Sequence, residues 1–526
     1  MANTTLFNTR AAALPAADTR NEAGGKAYAF SAKHALAQYA VTGCLNGTYY
    51  ADAQQQLETV LRLCGQVPVE FIAQTAVYCR ERGHMKDMPA LLCAALATLD
   101  TGALKRVFDR VIDDGKMLRN FVQIVRSGVA GRKSLGTAPK RMVQRWFERR
   151  DDAAVFRSSI GQSPSLADVV KMVHPRPATP QRAALYAWLC GRKHERAALP
   201  ATVAAFDQWM EQRAGDLPDV PFQMLTAQPL SPAHWKQIAR TASWQATRMN
   251  LNTFLRHEVF NNQKGREDTG LIKLVATRLR DAAAIRKARA FPYQLMNTAV
   301  NAHEAMPREI TDALHDAMEI AVANVPVIAG KVWILPDVSG SMHSPATGHR
   351  KGATSKVRCI DVAALVAAAF LRTNADAEVL PFSDDVVPAK LNHRDSILTN
   401  AQKLAGLPSG GTNCSAPLAW LNKQQAKGDL VIYVSDNESW MDANLGGRAT
   451  QTMAEWDTFR RRNPRSKLVC LDVQPYAHTQ SKEQPGILNV GGFSDAVFEI
   501  IAQFAAGELE PGHWVRTIEQ YSGPFV

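Results

Sequence analysis

At 526 residues the chain exceeds what one hydrophobic core organises, and 46% apolar with 21% charged residues is a globular composition, not a disordered or fibrous one. No run of 18 apolar residues occurs, so no membrane span is expected, and MANTTLFNTRAAALPAADTR lacks the apolar centre of a signal peptide. The net charge of +12 is unevenly shared: residues 1–325 hold 42 Lys and Arg against 29 Asp and Glu, while 326–526 hold 19 against 20.

A basic excess confined to the N-terminal part points to a polyanion partner, nucleic acid before anionic membrane, with a merely soluble basic surface as the alternative. Residues 1–20 read as a loose arm. From about residue 30 to 325 the pattern is helical, in SAKHALAQYAVTG, DAQQQLETVLRLCG, PVEFIAQTAVYCRER, MPALLCAALATL and ALKRVFDRVIDDG. Each places apolar residues at i, i+3, i+4 and i+7 between short Gly or Pro breaks. Further helices are expected at 138–150, 164–173, 180–192, 200–213, 232–242, 269–283 and 308–322. Helix pairs joined by short links predict an α-solenoid of the HEAT or armadillo kind, with a bundle of unrelated helices as the alternative.

After residue 328 short apolar runs alternate with helical ones: KVWILP, IDVAALVAAAFLRT, AEVLPF, a helix near 395–406, LVIYVS, TMAEWDTFRRR, KLVCLDV and SDAVFEIIAQFAAG. Repeated βαβ units predict a mostly parallel, doubly wound sheet, whose ligands bind at the carboxyl ends of the strands. Eight cysteines without a CxxC pair, mostly in apolar contexts, predict buried reduced thiols and a cytoplasmic protein.

Two constellations carry chemistry. In KVWILPDVSGSM the apolar strand ends in Asp337, Ser339 and Ser341, whose alternation lets three oxygens enter one loop crevice. Hard divalent cations take such oxygen ligands. PSGGTNCS adds Thr412 and YVSDNES adds Asp436, each just beyond a predicted strand or flexible Gly pair. The alternative is that Asp337 and Ser339 only cap the following turn. The second constellation is KMLRNFVQIVRSGVAGRKSLGTAPKRMVQRWFERR, residues 116–150, with ten Lys or Arg and one acid, Glu148. Arg141, Arg145 and Arg149 lie four apart on one helix face, a spacing that can follow a phosphate backbone. The turn HPRP adds His174 and Arg176 after a helix.

Asp337, Ser339, Ser341, Thr412 and Asp436 together resemble the metal-ion-dependent adhesion site of von Willebrand factor A (vWA) domains, over roughly 330–526. That resemblance implies a divalent cation, Mg2+ foremost, with a coordination position kept for an acidic protein ligand. NEAGGKAYAF, GTYY, GRKSLGTAPKRMVQRWF, VHPRP, KARAFPYQ, GGTNCSAP and SDNESW, in that order, resemble the TROVE module and vWA domain of Ro autoantigen proteins across nearly the whole chain. The resemblance implies a multidomain protein: an all-α ring of HEAT-like repeats over 21–327, closed by an α/β vWA domain over 328–526.

It further implies Y-type small RNAs on the basic outer surface and single-stranded 3′ ends of misfolded noncoding RNAs in the central hole, in RNA quality control. Polynucleotide phosphorylase, an exoribonuclease, would be tethered through the Y RNA. Lys133, Lys140, Arg141, Arg145, His174 and Arg176 are the implied RNA contacts. No membrane partner and no catalytic residue is expected, since nothing supplies a nucleophile or a redox centre. The competing reading is a metal-dependent adhesion or chelatase-type module whose basic half is incidental. A two-metal nuclease is disfavoured, because Asp337 and Asp436 alone are too few carboxylates.

Overall fold

The computed structural model describes residues 14–521 except 43–44, 47, 214, 262–264, 289, 291, 323–324, 347, 350–356, 442–447, 493–494 and 510–511. Most of the expected arm, Gly47 of GTYY, Cys44, and Arg289 and Phe291 of KARAFPYQ thus lie outside the described residues. The chain forms two compact units, one of residues 57–323 with 517–526, the other of residues 1–56 with 324–516.

The helical unit is built as the periodicity predicts. Val69–Glu81 packs on Asp87–Leu99 and Thr101–Val111, and Asp87–Leu99 packs on Gly115–Ser127, so sequence neighbours are spatial neighbours. Helix starts follow capping chemistry. Asp100 accepts from the amides of Gly102 and Ala103, Asp114 from that of Met117, and Ser165 forms a capping box with Asp168. Gly128, at φ 89°, closes Gly115–Ser127 in the left-handed conformation. Phe108, Phe121, Trp146, Phe147 and Phe156 are fully buried, each contributing about 1.5–3 kcal/mol of transfer free energy. Trp146 also keeps its indole N–H satisfied by the Ile112 carbonyl at 2.8 Å.

Later helices match the expected positions within a turn at Thr137–Glu148, Leu166–Val173, Pro180–Leu189, Ala201–Gln212, Pro232–Thr241 and Arg308–Ala321, whereas the one expected over 269–283 stops at Leu279 and a separate helix, Ala282–Ala288, follows. Short helices such as Asp152–Arg157, Trp244–Met249 and Leu251–Arg256 were not legible, because fewer than two turns give periodicity nothing to repeat.

The second unit contains β1 (Thr19–Arg20), β2 (Lys26–Ala29), β3 (Val332–Pro336), β4 (Ala377–Val379), β5 (Leu430–Ser435), β6 (Lys467–Asp472), β7 (His478–Thr479) and β8 (Ile487–Gly491). A parallel sheet runs in the order β4-β3-β5-β6-β8. Helices such as Cys359–Thr373, Ala416–Lys423 and Gln451–Arg462 connect its strands, as βαβ crossovers require. β3 and β5 are buried along their whole length, which explains why they read as continuous apolar runs instead of alternating ones; β8, equally buried but interrupted by Asn489, is a strand the apolar pattern does not mark.

A small antiparallel sheet, β1-β2-β7, was not anticipated. Through it residues up to Gln56, which the helical periodicity from about residue 30 and the Ro resemblance from residue 21 group with the helical part, pack in the sheet unit. The physical cause is Tyr28, fully buried among Trp333, Leu335, Tyr433 and Trp456, while β2 pairs with β7 at Tyr28–Thr479 and Ala29–His478. Ala32–Thr42 then packs on β8.

The described cysteines are free thiols, and all but Cys190 are buried. Among the described residues no helix is long and apolar enough to cross a membrane.

Candidate functional site: a carboxylate crevice and a basic cleft

β3 and β5 run side by side and in parallel, so the loops leaving their carboxyl ends meet. The Asp337 amide still bonds the Val434 carbonyl at 3.0 Å, after which the chain turns away. Asp337 Oδ1 accepts from the Ser339 amide at 2.8 Å, and Oδ2 from the Ser435 hydroxyl at 2.6 Å. The hydroxyls of Ser339 and Ser341 stand 3.3 Å apart. A bond from the Gly340 amide to the Gly410 carbonyl, 2.9 Å, ties on the loop bearing Thr412. A third bond, Trp440 amide to Thr412 carbonyl at 3.1 Å, joins that loop to the one bearing Asp436. Gly411 lets the loops approach closely: a Cβ there would lie 2.4 Å from the Trp440 indole nitrogen, so that side chain would have to move.

All five sequence-predicted positions are buried. Burial pushes the Asp337 carboxyl above its ordinary value despite its hydrogen bonds. Burial, then the neighbouring Asp337 carboxylate, push Asp436 well above it. Asp436 Oδ2 has no hydrogen-bond partner. Two buried carboxylates, one with an orphaned oxygen, repel each other unless positive charge or protons neutralise them. With hydroxyls between them, the donor set suits a hard divalent cation of the Mg2+ type.

The structure adds what the sequence did not single out. Glu438 and Asp472 are also buried at this edge. Glu438 Oε1 lies 2.6 Å from His478 Nε2, and its Oε2 accepts from the Glu22 amide at 2.8 Å. Asp472 accepts from Gln38 at 2.9 Å and from the Asn437 side chain. Burial, Glu438 and Asp436 raise the Asp472 carboxyl well above its usual range. Tyr50, half-buried, packs edge-on against Tyr476 at 6.2 Å; burial first, then the Asp436 and Glu438 carboxylates, push its phenol up. Glu438 stands inside the YVSDNES motif, but nothing local marked its role. No cluster of three His, Cys, Asp or Glu able to hold a metal occurs among the described residues. An ion bound there would take hydroxyls or water beside its carboxylates.

In the helical unit, the loop 128–136 between Gly115–Ser127 and Thr137–Glu148 opens a cleft of about 660 Å³. Arg126, Lys133, Lys140 and Arg141 line it with Gln144 and Met172, and among the described residues no acid does. Thr137–Glu148 starts at this cleft with Gly136 as its N-cap, at φ 68° and without a capping side chain. A Cβ at Gly136 would also meet Arg132 Nη2 at 2.2 Å. The first-turn amides thus add the positive end of a helix to four cations.

His174, exposed, is the left-handed C-cap of Leu166–Val173, and Arg176 is exposed two residues on. Gln144 bonds the Val173 carbonyl at 2.7 Å, tying that turn to the helix that carries Lys140 and Arg141. The expected row Arg141, Arg145, Arg149 is divided. Arg145, 3.8 Å away, and Arg149 both pair with Asp109, leaving Arg141 in the cleft. Arg150 stacks on Trp146 at 3.8 Å and bonds the Asp113 carbonyl at 2.7 Å.

Residues 331–505 match the family model of the Ro60 vWA domain. The RNA-binding protein RO60 of Deinococcus radiodurans is 25% identical over 533 aligned residues, covering 93% of this chain and 96% of that one. The RNA-binding protein RO60 of Caenorhabditis elegans is 23% identical over 50% of this chain and 41% of its own length. The crystal structure of the Deinococcus radiodurans RO (RSR) protein matches the fold with a TM-score of 0.62 at 21% identity, covering 91% of this chain and all of the other. A helix-rich N-terminal part followed by a parallel-sheet domain is therefore the fold of the Ro structure, and residues 331–505 of this chain are similar to the Ro60 vWA domain.

Proposed function

We propose that this chain is a Ro-type RNA-binding protein, cytoplasmic and not an enzyme, which grips small structured noncoding RNA by its phosphates. The acid-free cleft of Arg126, Lys133, Lys140 and Arg141 beside an uncapped helix start carries the reading. Phosphate contacts by such groups release counterions, so affinity falls steeply with salt. His174 and Arg176, on the turn held by Gln144, extend the contact surface, and Arg145 joins it only by leaving Asp109. The relatives that carry the name RNA-binding protein RO60 support the same partner class.

The finer form of the proposal is Y-type small RNA on the basic surface, misfolded RNAs taken by unpaired 3′ ends, and polynucleotide phosphorylase recruited through the Y RNA for quality control. Sequencing RNA that copurifies with the protein at moderate salt tests it. Enrichment of small structured RNAs is expected; recovery of bulk RNA without enrichment refutes it.

In the same reading Asp337, Ser339, Ser341, Thr412 and Asp436 would hold a divalent cation, Mg2+ by its preference for oxygen. When bound, it supplies a Lewis-acidic position open to a carboxylate from an acidic protein partner. The chain's own residues give that position its rigidity, through the Ser435–Asp337 bond and the two backbone ties between loops. The orphaned Asp436 Oδ2 favours this second activity independently of RNA.

A further inference from the structure

The loop that carries Asp436 is held in shape from far along the chain. Asn437 takes the left-handed conformation at φ 58°, and its side chain bonds Asp472. The Glu438 amide then donates to Asp436 Oδ1 at 3.4 Å, and Oδ2 is left as the oxygen without a partner. The Glu438 side chain is gripped twice, by His478 at 2.6 Å and by the Glu22 amide at 2.8 Å. Asn21 Nδ2 donates to the next carbonyl, that of Ser439, at 2.7 Å. Its Oδ1 accepts from the Gly25 amide at 2.6 Å, which closes the turn between β1 and β2. Gly25 fits so closely that a Cβ would sit 2.4 Å from the Ser439 carbonyl oxygen. Asn21, Glu438 and Ser439 are all buried. Ser439 also reaches onward, since its hydroxyl accepts from the Cys414 amide at 3.3 Å, two residues past Thr412.

Resting on the reading of the crevice as a cation site, we propose that Asn21 is a positioning residue of that site, and that residues 21–25 form a clasp whose closure and cation binding favour each other. The clasp fixes Glu438 and Ser439. Through the Glu438 amide it occupies Asp436 Oδ1, so that Oδ2 stays available to the ion, and through Ser439 it steadies the loop of Thr412. Groups that orient a metal ligand in this way commonly change metal affinity about 10–100-fold. A cation that prefers the closed clasp must stabilise the clasp by the same factor, because coupling between two binding equilibria is reciprocal. Residues 21–25 lie outside 331–505, the segment similar to the Ro60 vWA domain, so the site is shared between distant parts of the chain.

Two measurements on the full chain test this: Mn2+ affinity from electron paramagnetic resonance, and amide hydrogen exchange across residues 21–25 with and without Mg2+ at concentrations that displace Mn2+. Asn21→Ala removes both bonds made by that side chain, so Mn2+ affinity should fall about tenfold. In the wild type, Mg2+ should slow exchange of the Glu22 and Gly25 amides by about the same factor, since both donate within the clasp. A role in stability alone would lower the melting temperature of Asn21→Ala without making wild-type exchange respond to Mg2+. Affinity of Asn21→Ala within twofold of the wild type overturns the clasp, and so does wild-type exchange unchanged by Mg2+. If Asn21→Ala does not fold, the exchange comparison decides alone. A wild type that binds no Mn2+ refutes the cation reading itself and the clasp with it, a result distinct from the others.

Discussion

Replacing Lys140 and Arg141 together by alanine removes two of the four cations lining the basic cleft, and no acid lines it to be left unpaired. Each phosphate contact given up should flatten the dependence of log affinity on log salt by about 0.7–0.9, so the pair should flatten it by about 1.4–1.8. Two charge-assisted contacts at an open surface are worth about 1–3 kcal/mol in sum, a loss of roughly 5- to 150-fold. The control comes from the same helix. Arg145 and Arg149 are engaged by Asp109, so replacing both should cost affinity less than about threefold and leave the slope nearly unchanged. Fluorescence anisotropy with a labelled hairpin RNA, from low to moderate salt, measures both quantities. An unchanged slope in the Lys140/Arg141 variant, or a larger loss in the Arg145/Arg149 variant, would refute the assignment of the cleft.

The carboxylate crevice should behave independently of RNA. Asp337→Ala removes one of its two negative ligands, so Mg2+ affinity should fall steeply while hairpin affinity stays within about threefold, below about 0.7 kcal/mol; a large loss of RNA binding would link the two activities. Stability should also couple to pH. Asp337 and Asp436 have raised carboxyl pKa values, so their contribution is complete below the ordinary carboxylate range. It is lost as pH rises from there toward the folded-state values. Bound Mg2+ offsets that loss, so the cation should raise the melting temperature more at pH 7.5 than at pH 5. Equal increments at both pH values would count against a cation between these carboxylates.

Much of this molecule is local in origin. Helices such as Thr137–Glu148 are written in apolar spacing, and their starts in the side chains of Asp100, Asp114 and Ser165. The alternation of Asp337, Ser339 and Ser341 after an apolar strand is equally local, and parallel βαβ order then brings Asp436 to the same edge by a general rule of such sheets. Composition alone placed the basic excess before residue 326.

Other features depend on partners that no window of sequence contains. Asp109 draws Arg145 and Arg149 away from the cleft from a neighbouring helix, so equal spacing along one face did not mean equal availability. Tyr28 enters the core of the sheet unit some 300 residues before most of the side chains that surround it. Gln38 meets Asp472 and Glu22 meets Glu438 across similar gaps. Hydrophobic period and capping report what a residue requires of its own turn of helix or strand. The partner of a buried polar group is chosen by packing, where leaving it unmatched costs about 1–3 kcal/mol and any part of the chain can supply the match.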